Sequence, residues 1–233
     1  KWLLDAVMSY INQEKVNVQL IVSTVKGDMA LKTLSGISGV EFCINNKPGI
    51  YTQLNNAIKL VENEWFCYAA GDDIAIRTKV SEEINACKEY NKKICASGFF
   101  ITDSNLNELN RVGTNMKYDI SEHLSRNMVS DCSLFHSSLL QEFGPFDLEC
   151  GNHGFWDFWL RIGKVSPEYF LLQKTPRWHY RQHSAAKHAK RAKNIKKMEK
   201  NERERKLMLS KHIDLLKKYN KMNLLKITKY KVK

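Results

Sequence analysis

Two periodicities alternate along the first hundred residues. Leu3, Leu4, Val7, Met8, Tyr10 and Ile11 recur at helical spacing, and residues 16–23 (VNVQLIVS) form a short, largely apolar run of strand length. The same alternation predicts strands at residues 40–44, 65–70 and 94–101, with helices over residues 51–61 and 76–90 between them. Repeated helix–strand units of this kind predict an α/β fold, a largely parallel sheet with helices on both faces.

The regularity breaks after Asp103 into a polar, Asn-rich stretch, and residues 104–186 read as mixed. This half holds the turn Gly144-Pro145-Phe146-Asp147 and an aromatic helix over residues 155–162. From Lys187 to Lys233 there is no Pro or Gly, and Ile195, Met198, Leu209, Ile213, Leu216 and Tyr219 recur at helical intervals, which predicts one long helix. The expected organisation is residues 1–103, residues 104–186 as a second half of the same domain, and a helical tail over 187–233.

Charge sharpens that division. The chain of 233 residues has a formal net charge of +12, of which residues 187–233 carry +14, leaving −2 on the rest. A basic tail favours an anionic surface such as a membrane, whereas nucleic acid is not the expected partner, because only Tyr219 and Tyr230 interleave with the lysines. The six cysteines form no C-x-x-C pair or zinc-like spacing, so they read as reduced thiols of a cytoplasmic protein, peripheral to a membrane where the tail reaches one. No run approaches the ~18 apolar residues of a membrane span. The chain begins at Lys1, and a preceding segment is expected.

The chemistry concentrates at Trp65-Phe66-Cys67-Tyr68-Ala69-Ala70-Gly71-Asp72-Asp73, an apolar strand running into two adjacent carboxylates. Ligands of open α/β sheets sit at the carboxyl ends of strands. Two acids there repel unless a cation joins them, and hard oxygen ligands suit Mg²⁺ or Mn²⁺. The alternative is a pair that merely caps the following helix. The segment resembles the metal-binding Asp motif of family 2 glycosyltransferases with the GT-A (Rossmann-like) fold. Further pieces follow in the family's order: Asn46-Lys47-Pro48-Gly49 before a helix carrying Asn55, the Gly144–Asp147 turn, Phe155-Trp156-Asp157-Phe158-Trp159-Leu160-Arg161 like its "W-L-R" segment, and Tyr180-Arg181-Gln182-His183-Ser184 like its late loop.

The resemblance implies a metal-dependent, inverting transfer of a sugar from a nucleotide-sugar donor to a hydroxyl on a saccharide, lipid-linked or protein acceptor. Asp73 would hold Mn²⁺ or Mg²⁺ with His183, while Asp72, Asn55 and Arg181 would bind the donor. The family's usual acid pair before "W-L-R" is replaced by Gly154-Phe155, so Asp157 becomes the candidate base, with Glu149 in reserve. Asp157 equally fits a structural pair with Arg161, four residues on. The missing pair also fits a non-catalytic relative that only binds nucleotide or carbohydrate, and a membrane- or nucleic-acid-surface module is the third reading. Two further departures are the absent first central strand and the sequence Ser23-Thr24-Val25-Lys26-Gly27-Asp28, which lacks the family's Asp-rich turn and leaves the nucleotide base open. The aromatics of residues 155–159 are expected in the core, with Trp156 the exception most suited to stacking on a sugar.

Overall fold

The structure is a computed structural model that describes residues 2–184 and 194–226. The chain runs α1 (Leu3–Ile11), β1 (Leu20–Val25), α2 (Met29–Leu34), β2 (Val40–Asn45), α3 (Ile50–Ala57), β3 (Trp65–Cys67), β4 (Ile74–Ala75), α4 (Lys79–Glu89), β5 (Ile94–Thr102) and β6 (Glu108–Val112). It continues through α5 (Ile120–Ser125), β7 (Leu134–His136), α6 (Ser138–Phe143), α7 (Gly154–Val165) and β8 (Phe170–Arg181) to α8 (Ile195–Ser210) and α9 (Ile213–Lys218). The predicted α/β class holds, but the strand directions are mixed. β1 pairs with β2 and β5 with β8 in parallel, whereas β3–β7, β5–β7, β4–β8 and β5–β6 are antiparallel. The reason lies in the second half, where β7 returns between β3 and β5 against both of them.

The strands fall into two sheets, β1–β2 and β3–β7–β5–β8–β4, with β6 pairing β5. Between them lies a cleft of about 900 Å³, lined by Leu20, Ile21 and Val22 of β1 and by Trp65, Phe66 and Cys67 of β3. Among the described residues β1 and β3 each pair on one side only, so their other backbone edges border this apolar cleft. Unpaired donors and acceptors beside apolar side chains are the surroundings that a further extended strand satisfies.

Helix α7 is the centre of the core. Phe155, Phe158, Trp159 and Ile162 recur at i, i+3, i+4 and i+7 and pack with Phe135, Phe146 and Phe170. The other stripe, Trp156 and Leu160, packs with Leu124, Met208, Leu209, Leu215 and Leu216. Trp156 is therefore a core residue like its neighbours, and its indole N–H donates to the His123 carbonyl at 2.8 Å.

The C-terminal segment departs from the expected continuous helix. It breaks between Ser210 and Ile213, and α8 and α9 lie against α7 instead of standing off the body. Four apolar side chains of α8 and α9 close the second stripe of α7, and burying a side chain of that size contributes about 1.5–3 kcal/mol. Residues 185–193 and 227–233, where the tail reading also falls, lie outside the described residues. All six cysteines are free. Among the described residues no helix is long and apolar enough to cross a membrane.

Candidate functional site

The two acids are positioned by a short strand and a long one. After β3 the chain turns, with the Asp73 N–H donating to the Ala70 carbonyl at 3.4 Å, and enters β4. β4 pairs with β8 in the register Ile74↔His179 and Ala75↔Trp178, so the acids just ahead of β4 meet the end of β8 and the loop beyond it. There the Arg181 backbone N–H donates to Asp73 Oδ1 at 2.9 Å. The Arg181 guanidinium donates from Nε to the Asp72 carbonyl and from Nη1 to the Ser104 carbonyl, both at 2.9 Å. His183 Nε2 lies 2.9 Å from Asp72 Oδ2, with the imidazole against the Trp2 ring at 4.0 Å between centroids.

Asp72, Asp73, Arg181 and His183 thus converge, although they come from sequence positions more than a hundred apart. The pairing differs from the expected one, since His183 faces Asp72, while an oxygen of Asp73 is held by backbone. Burial pushes the Asp73 carboxyl up to about 7, and the neighbouring Asp72 adds to that, against the Arg181 amide. Two buried polar atoms here, Arg181 Nη2 and His183 Nδ1, have no hydrogen-bond partner among the described residues. Such atoms are costly unless something further meets them. A carboxylate with an imidazole is a donor set that Mn²⁺ accepts. Ligands at about 2.1 Å on adjacent octahedral positions stand about 3 Å apart, so the Asp72–His183 spacing suits ligation as well as a hydrogen bond. The residues present fit a divalent ion.

Other expected site residues are engaged elsewhere. Asn55 donates from Nδ2 to the Phe146 carbonyl (2.8 Å) and accepts at Oδ1 from the Phe146 N–H (2.9 Å), which fixes the Gly144–Asp147 turn to α3 and leaves little of the amide for a donor. Asp157 is buried, with Oδ2 accepting from Arg161 Nε and Oδ1 from His212 Nε2, both at 2.9 Å. Of the two readings of Asp157, the structural pair is the one formed, and its oxygens are already taken by donors. Glu149 is held by Lys211, which also binds Asp147. Asp147, Cys150 and Asp157 bring ligand atoms within 4.8 Å of one another, yet Lys211, Arg161 and His212 already satisfy the two carboxylates, so this set does not fit a metal.

Sequence reasoning missed Asp131. It stands in the turn before β7, where the Ser133 N–H donates to the Ser130 carbonyl (3.1 Å) and the Cys132 N–H to Ser130 Oγ (3.2 Å). β7 runs antiparallel to β3 with Leu134 opposite Cys67. The Ala70 amide hydrogen-bonds the side chain of the next residue, Cys132, which sets Asp131 beside the loop that leads to the two acids. Burial pushes its carboxyl up to about 7, with no cation among the described residues to offset it. The only sequence signal was an acid in an otherwise small and apolar run, Val129-Ser130-Asp131-Cys132-Ser133-Leu134.

No protein-family model matches the chain. Among curated proteins, two that are each named an uncharacterized glycosyltransferase, from Rickettsia typhi and Rickettsia prowazekii, are 26% identical over 180 residues, covering 72% of this chain and 57% of theirs. One of the same name from Rickettsia bellii is 27% identical over 198 residues, 78% of this chain and 29% of its own. The chain spans little more than half the length of the first two relatives. Among solved structures, S. aureus TarS residues 1–349 in complex with UDP-GlcNAc superposes with a TM-score of 0.63 at 12% identity, over 96% of this chain and 66% of that one. The complex with UDP gives 0.62 over 96% and 65%. The fold is therefore the GT-A-like glycosyltransferase fold seen in TarS, and the sequence is similar to that of proteins named glycosyltransferases.

Proposed function

We propose that the chain transfers a sugar from a nucleotide-sugar donor to an acceptor hydroxyl, with inversion at the anomeric carbon, and that it uses a divalent metal. The observation that carries this is the convergence of Asp72, Asp73, Arg181 and His183 at one end of the sheet, with two buried donors left over. Asp72 and His183 would hold Mn²⁺ or Mg²⁺, and Asp73 would support them from the Arg181 amide. The ion, when bound, supplies positive charge to the departing diphosphate. Arg181 keeps its Nη2 amino group for a phosphate oxygen, while Nε and Nη1 brace the Asp72 and Ser104 carbonyls.

UDP-GlcNAc is the donor to try first, because the TarS structure that superposes here is a complex with it. The apolar cleft between the sheets is a poor place for a diphosphate, as no lysine, arginine or histidine lines it. The reading is tested by incubating the full chain with UDP-GlcNAc and Mn²⁺ and following UDP release. Metal-dependent release, lost in Asp72→Asn, is the expected result. A chain that binds UDP but releases none would support instead the non-catalytic relative, which the fully buried Phe155 at the family's acid position favours.

A further inference from the structure

An inverting transfer needs a carboxylate at the acceptor, and the position where the sequence resemblance expects it holds Phe155, fully buried. The Phe155 ring packs on Tyr51 (6.0 Å between centroids) and on Tyr68 (5.3 Å). The Tyr51 hydroxyl accepts from the Phe155 N–H at 3.1 Å, so these two tyrosines mark the start of α7. The same two tyrosines are the ones whose ionisation the Asp131 carboxylate opposes, which puts Asp131 beside them from another element. Tyr68 also senses Asp72, so it lies near both acids.

We propose that Asp131 is the base of the transfer, supplied from the β7 turn in place of an acid at the start of α7. The proposal rests on the transferase reading above. Asp131 takes the proton of the acceptor hydroxyl. The acceptor oxygen forms the new bond to the anomeric carbon, the bond from that carbon to the diphosphate oxygen breaks, and its electron pair leaves with the nucleoside diphosphate. The proton then passes from Asp131 to solvent at this half-buried turn. The turn is held for this task. Lys79, buried and paired with Glu83 at 2.7 Å, donates to the Cys132 carbonyl at 3.1 Å, and the Ala70 amide hydrogen-bonds the Cys132 side chain. Among the described residues, the titratable groups that the Asp131 charge acts on are Tyr51, Tyr68 and Cys132, whose ionisation burial and that charge both oppose. A carboxyl left without a cation is costly for the fold, and near neutrality it is poised to accept a proton.

The test follows UDP release from UDP-GlcNAc with Mn²⁺ and water as acceptor, alongside calorimetric UDP binding and thermal melting. Asp131→Asn should lower the rate by roughly two to four orders of magnitude, with UDP affinity retained and the melting temperature unchanged or raised, since a structural acid would lower it on removal. Asp73 takes up a proton in the same range, so the wild-type rate should fall with two protons below about pH 7 and the Asn variant with one. Asp131→Glu, which keeps a carboxylate on a longer arm, should retain part of the rate with a displaced limb. A near-wild-type rate in Asp131→Asn, an unshifted limb in Asp131→Glu, or a wild type that binds UDP and releases none would each overturn the assignment. A wild type that fails to bind UDP would overturn the transferase reading itself, which separates the two failures.

Discussion

Replacing Asp157 with Asn tests whether this acid supports the fold or the chemistry. In the structure its side chain is 3% exposed and accepts from Arg161 Nε on one oxygen and His212 Nε2 on the other. The amide keeps one acceptor and turns an NH₂ group towards one of two donors, so one contact becomes donor against donor. Removing one partner of a buried ion pair costs about 3–5 kcal/mol. Arg161 is 28% exposed and also donates to the Gly144 and Pro145 carbonyls, so solvent and these carbonyls offset part of the loss. We expect about 2–3 kcal/mol, which in a chain of this size is a fall in melting temperature of about 5–10 °C. His212 lies between α8 and α9, so the same change should loosen the C-terminal segment first, visible as faster amide exchange over residues 195–218. Arg161→Met should destabilise as well, and the double variant should cost less than the two singles together. The reasoning is refuted by an Asp157→Asn protein that melts like wild type while losing transfer by two orders of magnitude or more.

Asn55→Ala should cost about 1–3 kcal/mol in urea unfolding through its two contacts with the Phe146 backbone, with UDP affinity unchanged. Phe155→Asp should destabilise the fold by several kcal/mol and gain no transfer, because the new acid would enter a fully buried site between Tyr51, Phe146 and Trp159; a soluble, more active variant would count against this. Burial holds His123 at about 3, with its ring between the Tyr118 hydroxyl and Asn127 Oδ1. The folded state therefore resists protonation where the unfolded chain, near 6.5, accepts it, so stability should be lost as pH falls from about 6.5 towards 3. That slope, read from urea midpoints, should flatten in His123→Gln. A chain ending at Ser184 would expose Leu124, Trp156 and Leu160, and should bind a hydrophobic dye and melt without cooperativity instead of remaining an intact donor site.

The helix–strand alternation was legible because each apolar run matched one period, and the DD turn was legible because two acids directly after an apolar strand have few structural uses. The tail was misread because charge dominates its composition. Met208, Leu209, Leu215 and Leu216 hold the apolar contacts, and a break at Lys211-His212 carries no Pro or Gly to announce it. The strand directions were not legible either, since β7 is three residues long and its neighbours lie far away in sequence. Asn55 and Asp157 looked available because an Asn on a helix and an Asp among aromatics do not reveal their partners. Those partners, the Phe146 backbone and His212, lie 91 and 55 residues away. Asp131 was passed over for the converse reason, as its turn meets the loop at Ala70 through the pairing of β3 with β7, which lie far apart in sequence.

The site is tested most directly by titrating the full chain with UDP in a calorimeter, with and without Mn²⁺, in the wild type, Asp72→Asn and His183→Ala. The account predicts that Mn²⁺ tightens UDP binding by at least about tenfold, or about 1.4 kcal/mol, in the wild type, and that either substitution abolishes this gain while the folded protein melts normally. Equal UDP affinity with and without Mn²⁺, or a gain that survives both substitutions, would contradict it.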